Sequence, residues 1–127
     1  RPLSSMSPSF IESTEDFASF GTPGGSRIPS MVLLAMLEYL DHQPIEQWPT
    51  AVRFHHQFRP DLIEHEPNAF STAETTALEA LGHQLKSTGR QYGNQQVLLW
   101  RKKRGKVEVA SDPRGIGTAV ATPVVPQ

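Results

Sequence analysis

The sequence contains no cysteine, and that absence excludes several kinds of chemistry. Disulfide bridges, thiolate metal ligands and a cysteine nucleophile all require a thiol. An excess of one charge is also lacking, because 12 Lys and Arg residues face 13 Asp and Glu residues, for a formal net charge of −1. Dedicated nucleic-acid binders and proteins of anionic membrane surfaces carry a marked positive excess. We therefore expect no nucleic-acid partner.

Long apolar segments are missing as well. The longest uninterrupted apolar run extends from Met31 to Leu37, whereas a bilayer-spanning helix needs about 20 apolar residues. The sequence thus predicts no membrane span. Its 127 residues match the usual size of one domain. Because the first residue is Arg1 rather than Met, we expect the chain to be a piece of a longer polypeptide.

Alternating apolar residues and turn signals divide the chain into short strands with helices between them. The pattern predicts two hairpins, one on each side of the helical region, and this arrangement favours an α+β fold with layered antiparallel sheets over a doubly wound parallel sheet. The predicted strands are Ser9–Glu12, Phe17–Phe20, 52–58, 62–66, 83–87, 95–100 and 106–110, and the predicted helices are Ile28–Leu40, a short segment at 45–51, and 71–82.

Ile28–Leu40 is apolar on almost every side, which is typical of a helix packed between other layers. Ser26 is the predicted N-cap, and Pro29 lies in the first turn, where its missing N–H costs nothing. A chain of this length offers little material to surround such a helix. We therefore expect one face to be exposed or covered by another copy of the chain, so self-association of the isolated polypeptide is possible.

Two adjacent glycines, Gly24 and Gly25, stand in the stretch FGTPGGSRIP, between a predicted strand and the apolar helix. Their spacing fits neither a P-loop nor a dinucleotide fingerprint. A tight turn is the simpler interpretation. The alternative is an oxyanion hole, because two unencumbered N–H groups at a helix start can point at one developing negative charge.

Three further clusters have structural interpretations. His55 and His56 are adjacent on a predicted strand and point to opposite faces, so they do not easily chelate one ion, and we predict no metal site. The basic run from Arg101 to Arg104 falls at a hairpin turn and predicts a solvated tip. Asp112 and Arg114 flank a proline and predict an internal ion pair that fixes a loop.

Several stretches in this order resemble one family. RPLSSMSP, GTPGGSRI, RFHHQ followed by Pro60 and Asp61, and SDPR are similar to the small subunit of γ-glutamyltransferase, also called γ-glutamyltranspeptidase or glutathione hydrolase. The resemblance covers residues 1–115, interpreted as the C-terminal part of that subunit, and leaves 116–127 as a loose tail. It implies an N-terminal-nucleophile hydrolase with an αββα sandwich, acting on γ-glutamyl amides such as glutathione.

The resemblance also implies roles for single residues. Ser4 and Ser5 match a serine pair that binds the α-carboxylate of the γ-glutamyl group, and Gly24 and Gly25 match the glycine pair whose amides form the oxyanion hole. No metal or cofactor is implied. The implied partners are the rest of the small subunit and a large subunit, and parents of this kind are periplasmic, secreted or at the cell surface.

One element of the family pattern is absent. The family's nucleophile is a threonine whose own α-amine serves as base, whereas residue 1 here is Arg and Thr22 is internal. The chain alone is therefore expected to be inactive. Two alternatives remain open at this point: a related glutaryl or cephalosporin-type acylase, and a non-catalytic interaction module.

Overall fold

The computed structural model describes residues 6–122. The chain divides into two compact units, and each is described by itself. The first contains the residues up to Ala51 together with those from Gly93 onward, and the second runs from Val52 to Tyr92. Ser4 and Ser5 lie outside the described residues.

The elements follow the predicted order along the chain. The strands are β1 (Ser9–Glu12), β2 (Asp16–Gly21), β3 (Phe54–Gln57), β4 (Leu62–His65), β5 (Leu85–Ser87), β6 (Gln96–Arg101) and β7 (Lys106–Ser111). The α-helices are α1 (Ile28–Leu40) and α2 (Thr72–Ala80), and 3₁₀ turns cover Gly25–Arg27, Ile45–Thr50 and Lys102–Arg104. Among the described residues no helix is long and apolar enough to cross a bilayer.

The first unit is built on a four-stranded antiparallel sheet in the order β1-β2-β6-β7. Both predicted hairpins are confirmed, and they join because β2 pairs with β6. One face of the sheet is buried through alternate residues such as Ala18, Phe20 and Leu99. Helix α1 contributes the buried side chains of Met31 and others to the same core. The remaining buried apolar residues of this unit are Ile28, Val32, Ala35, Ile45, Trp48, Val97 and Ala110.

Trp48 anchors the 3₁₀ helix Ile45–Thr50 against this core. Its indole is 1% exposed and stacks on Phe20 with ring centroids 5.6 Å apart, while Tyr39 meets it edge-on at 5.4 Å. The indole N–H donates to the carbonyl of Gln43 at 2.9 Å. A buried Trp thus keeps its polar atom satisfied while its ring fills the gap between α1 and the sheet.

A buried ion pair ties the end of β7 to that 3₁₀ helix. The Asp112 carboxylate is fully buried and accepts from the guanidinium of Arg114 at 3.3 Å and from the Arg114 amide at 3.0 Å. Arg114 also donates to the carbonyls of Pro49, Thr50 and Ala51 at 2.9–3.4 Å. These carbonyls end the 3₁₀ helix, where a cation is electrostatically favoured. The predicted loop-fixing role of the pair is therefore confirmed.

The second unit carries a three-stranded sheet in the order β3-β4-β5. The β3–β4 pair is antiparallel, but β4 and β5 are parallel and α2 forms the crossover between them. This parallel pair is an exception to the predicted antiparallel layering, while the α+β class holds. Parallel neighbours need a connection of a dozen residues or more, and the helix supplies it.

Helix α2 begins with the predicted capping box. The Ser71 hydroxyl accepts from the Glu74 amide, while the Glu74 carboxylate accepts from the Ser71 amide at 2.7 Å. Hydrogen bonds from the Ser71 side chain and then its backbone lower the pKa of Glu74. Gly82 follows the helix with φ +92, as a C-terminal glycine should.

Arg53 has a structural role in the second unit. It is 1% exposed, its amide donates to the Glu66 carboxylate at 3.2 Å, and its guanidinium donates to the carbonyl of Tyr92. The other carboxylate oxygen of Glu66 accepts from the Tyr92 amide at 2.9 Å. This network joins the two ends of the second unit.

The bounds of helix α1 are as predicted, but its N-cap is not. Its N-cap is Arg27 rather than Ser26, because the chain first makes the 3₁₀ turn Gly25–Arg27, and no side chain caps it. It is also not buried on every side, since Leu33, Leu37 and Leu40 are about half exposed. The exposed face that was expected is present in the chain as described.

The buried pair leads to a stability prediction. Asp112→Asn leaves the Arg114 charge without its buried counter-ion, and we expect a loss of about 3 kcal/mol in the free energy of unfolding. Urea denaturation followed by circular dichroism measures it. Asp61→Asn is the matched control, because Asp61 pairs with His56 but its side chain is 87% exposed, so its loss should change little. Equal effects of the two substitutions would contradict the assignment.

Candidate oxyanion site

The segment between β2 and α1 brings two backbone amides to the surface. Gly24 has φ +155 and Gly25 has φ +61, conformations that residues with a side chain rarely adopt. Both glycines are exposed. The segment then enters the 3₁₀ turn that leads into α1. Glycines are therefore favoured here for two reasons: the backbone has positive φ angles, and the absence of side chains leaves the two N–H groups accessible to a ligand.

Each of the two peptide planes that carry these N–H groups is held by its carbonyl. The Pro23 carbonyl accepts from the Thr22 hydroxyl at 2.9 Å, and the Gly24 carbonyl accepts from the Arg27 amide at 3.2 Å. In a trans peptide the N–H points opposite to the C=O. Within the described part of the chain, the N–H groups of Gly24 and Gly25 donate to no protein acceptor. They are oriented donors that remain available to an anionic oxygen.

The surroundings of the two glycines differ. A Cβ atom on Gly24 would lie 2.3 Å from the terminal methyl of Met31, a side chain that is 1% exposed. A Cβ atom on Gly25 would meet nothing within 4 Å. The side of Gly24 on which a Cβ would stand therefore packs against Met31 of α1, whereas the same side of Gly25 faces open space. A ligand oxygen can approach from the Gly25 side.

The histidine pair is divided as predicted. His55 is buried and its Nε2 lies 3.1 Å from the Gln57 side-chain oxygen, while His56 is exposed and its Nε2 lies 2.9 Å from Asp61 Oδ1. No group of three or more potential metal ligands occurs among residues 6–122. The absence of a metal site from the chain as a whole stays a prediction.

Three residues of the basic run at the second hairpin turn pair with acids of the first hairpin. Arg101 Nη1 lies 3.1 Å from Asp16 and Lys102 Nζ lies 2.6 Å from Glu12. Lys103 pairs with Glu15, and a side-chain hydrogen bond from Lys103, followed by its charge, lowers the pKa of Glu15. A solvated, locally neutralised tip is therefore the structural role of this run, in agreement with the prediction.

The sequence did not reveal that Thr22 and Asn94 are hydrogen-bonded beside the glycine turn. Thr22 is buried, and its hydroxyl oxygen accepts from the Asn94 amide at 3.3 Å. Thr22 is internal, so the sequence argues against it as a nucleophile and indicates no structural role for its hydroxyl. Its partner lies 72 residues further along the chain, so no local pattern could reveal the contact.

Comparison with known proteins identifies the family. The family model described as Gamma-glutamyltranspeptidase matches residues 1–122. This chain belongs to the γ-glutamyltranspeptidase family. Its match with the family extends seven residues past Gly115, the end of the resemblance found by motif.

Individual relatives agree with that assignment. The chain is 38% identical over 126 residues to a glutathione hydrolase proenzyme of Pseudomonas aeruginosa, covering 94% of this chain and 22% of the relative. It is 33% identical to a glutathione hydrolase proenzyme of Escherichia coli, covering 95% and 21%. The chain therefore spans about a fifth of the length of these two curated relatives.

A solved structure is similar over nearly the whole chain. The γ-glutamyltranspeptidase from Pseudomonas nitroreducens complexed with L-DON gives a TM-score of 0.81 at 35% identity, covering 97% of this chain and 65% of that one. The predicted fold class, α+β within the N-terminal-nucleophile hydrolases, is confirmed. The division into residues 1–115 and a loose tail stays a prediction.

The different surroundings of the two glycines predict different costs of substitution. Gly25→Ala should cost about 1 kcal/mol of stability, because only the positive φ opposes it. Gly24→Ala should cost more than that, because φ +155 is rarely adopted by residues with a side chain and the new methyl must also displace the end of the Met31 side chain. Thermal unfolding measures both. Gly105→Ala is the matched control for Gly25→Ala, with φ +58 and no atom within 4 Å of its Cβ. A Gly24→Ala variant as stable as these two would contradict the expected difference.

Proposed function

We propose that this chain supplies the oxyanion hole of a γ-glutamyl-transferring hydrolase, and that Gly24 and Gly25 donate the two hydrogen bonds. The observation that carries the proposal is the pair of exposed, oriented amides that no protein acceptor of the described residues engages. Family membership supports the chemistry, because the curated relatives are named glutathione hydrolase proenzymes. A γ-glutamyl amide such as glutathione is the proposed substrate.

The mechanism follows from where charge develops. A threonine Oγ attacks the carbonyl carbon of the γ-glutamyl amide, and the carbonyl oxygen becomes an oxyanion. The amides of Gly24 and Gly25 stabilise it, a contribution of roughly 2.7–4 kcal/mol for one donor in a comparable acyl-transfer enzyme. The C–N bond then breaks with a proton passing to the leaving amine. Water or an acceptor amine finally takes the glutamyl group from the ester.

The nucleophile is proposed to come from outside these 127 residues. The family's threonine acts through its own free α-amine, and each threonine here is internal. Thr22 is additionally buried and engaged with Pro23 and Asn94. The chain alone is therefore expected to be inactive, and the remainder of a small subunit and a large subunit are its proposed partners.

Ser4 and Ser5 are the proposed ligands of the substrate's α-carboxylate. The proposal is supported by the motif RPLSSMSP, in which two adjacent hydroxyls and amides lie between prolines that stiffen the backbone. A glutaryl group carries a carboxylate at the corresponding position but has no α-amine. Comparing γ-glutamyl and glutaryl anilides on one preparation distinguishes the acylase alternative, which the named relatives support less.

The central test is Gly25→Ala in the complete processed protein that carries this sequence. Alanine keeps the N–H, but its methyl would stand in the open space from which an oxygen approaches, or would turn the N–H away from that oxygen. Oxyanion donors act on the transition state, so a misdirected donor lowers kcat rather than raising KM. We expect kcat to fall about 10²-fold or more with a chromogenic γ-glutamyl anilide. KM should change by less than about threefold, because ground-state binding is retained.

Two controls define the outcome. Gly105→Ala introduces the same backbone strain at a hairpin turn and should leave kcat unchanged. The isolated 127-residue polypeptide is the negative control and should show no turnover above the uncatalysed rate. Normal kcat per folded molecule in Gly25→Ala would remove Gly25 from the oxyanion hole. A complete protein without turnover of either substrate would favour the interaction module.

A further inference from the structure

The Thr22 hydroxyl lies at the junction between the glycine turn and the sheet. Thr22 is 7% exposed. Its hydroxyl donates to the Pro23 carbonyl at 2.9 Å and accepts from the backbone N–H of Asn94 at 3.3 Å. A carbonyl can only accept and an amide N–H can only donate. The two partners therefore fix both the position of the hydroxyl oxygen and the direction of its proton.

This hydroxyl determines the direction of one proposed oxyanion donor. The Pro23 carbonyl and the Gly24 N–H belong to one planar trans peptide and point in opposite directions. By holding that carbonyl, Thr22 fixes the angle of the Gly24 N–H. The neighbouring plane is held separately, through the Gly24 carbonyl and the Arg27 amide. Removal of the hydroxyl thus affects one donor and leaves the other in place.

The backbone N–H of Asn94 is in turn held in place by the next residue, Gln95. The amide of Gln95 donates to the Asp112 carboxylate at 2.9 Å, and the Asp112 amide donates to the Gln95 carbonyl at 2.9 Å. Gln95 and Asp112 are 1% and 0% exposed. Gln95 follows Asn94 directly, is buried and is held by two hydrogen bonds to Asp112. It therefore gives the hydrogen bond between Thr22 and Asn94 a rigid support on the sheet.

We propose that Thr22 is a positioning residue for the oxyanion site, and that Asp112 supports it through Gln95 and Asn94. The proposal rests on the proposed function, since it assigns the Gly24 N–H an oxyanion to bind. It adds that the SDPR stretch acts on the site from a distance. Thr22 touches neither substrate nor nucleophile and acts only by aiming a peptide plane.

The experiment compares Thr22→Val, which removes the hydroxyl at nearly constant shape, with Thr22→Ser, which keeps it. In the complete processed protein, Thr22→Val should lower kcat about 10- to 100-fold, because small misplacements of reacting groups cost up to about 10²-fold. KM should change by less than about threefold. Thr22→Ser should restore kcat to within about threefold of the wild type. Thr76→Val is the control, since it removes an exposed hydroxyl that donates to the Thr72 carbonyl in α2.

A crystal structure of Thr22→Val supplies a readout that does not depend on activity. We expect the Pro23–Gly24 peptide to rotate or to occupy two orientations, and to keep its wild-type orientation in Thr22→Ser. An unchanged peptide plane overturns the proposal, as does an unchanged kcat. If the wild-type protein turns over no γ-glutamyl substrate, the proposed function fails, while the peptide plane still decides whether Thr22 positions the turn.

The support by Asp112 has its own test in a double-mutant cycle. Asp112→Asn should lower kcat per folded molecule in the wild-type background and have little further effect once Thr22→Val has removed the link, so the two effects should be non-additive. Additive effects would overturn the coupling. If Thr22→Val does not mature, Thr22→Ala, which removes the hydroxyl without filling its space, takes its place in both experiments.

Discussion

The first unit depends on the hydrogen bonds and the ion pair made by the buried carboxylate of Asp112. It satisfies the amides of Gln95 and Arg114 and neutralises the Arg114 guanidinium, which in turn caps the carbonyls at the end of the 3₁₀ helix. Removing one partner of such a pair costs more than the pair contributes, because an uncompensated charge stays buried. One side chain thereby fixes the ends of two strands and a helix that packs on the core.

The glycine turn is built on that fixed framework. Thr22 joins it to the segment before β6, and the 3₁₀ turn joins it to α1. The donors presented by the turn are backbone N–H groups, which carry no net charge and need no reorientation when an oxyanion forms. The electrostatics of the proposed site therefore come from oriented dipoles, while Arg101, Lys102 and Lys103 at the second hairpin tip are paired with acids of the first hairpin.

Local patterns predicted the fold wherever the interactions were local. The two hairpins, helix α1, and the Ser71–Glu74 capping box all follow from alternation, apolar continuity or a three-residue spacing. The parallel β4–β5 pair was missed, because strand direction depends on the α2 crossover rather than on either strand's own sequence. The bounds of α1 were predicted correctly, but its N-cap was placed at Ser26, whereas the chain makes a 3₁₀ turn over Gly25–Arg27 and Arg27 occupies the N-cap position.

The candidate site divides in the same way. Gly24 and Gly25 stand out in the sequence because adjacent glycines before a helix are conspicuous, and the structure adds the orientation of their amides. Their role as an oxyanion hole stays a proposal. The Thr22–Asn94 contact could not be predicted, because it joins residues that are distant in the chain and involves a backbone amide. Motif resemblance supplied the roles of Ser4 and Ser5, which lie outside the described residues.

The most direct test of the central claim is a crystal structure of the complete protein with a γ-glutamyl phosphonate bound to its nucleophile as a tetrahedral mimic. The phosphonate oxygen stands in for the oxyanion. The account predicts that this oxygen lies about 2.7–3.1 Å from the amide nitrogens of both Gly24 and Gly25. An oxygen beyond hydrogen-bond distance of both nitrogens, or held by other donors, would contradict it.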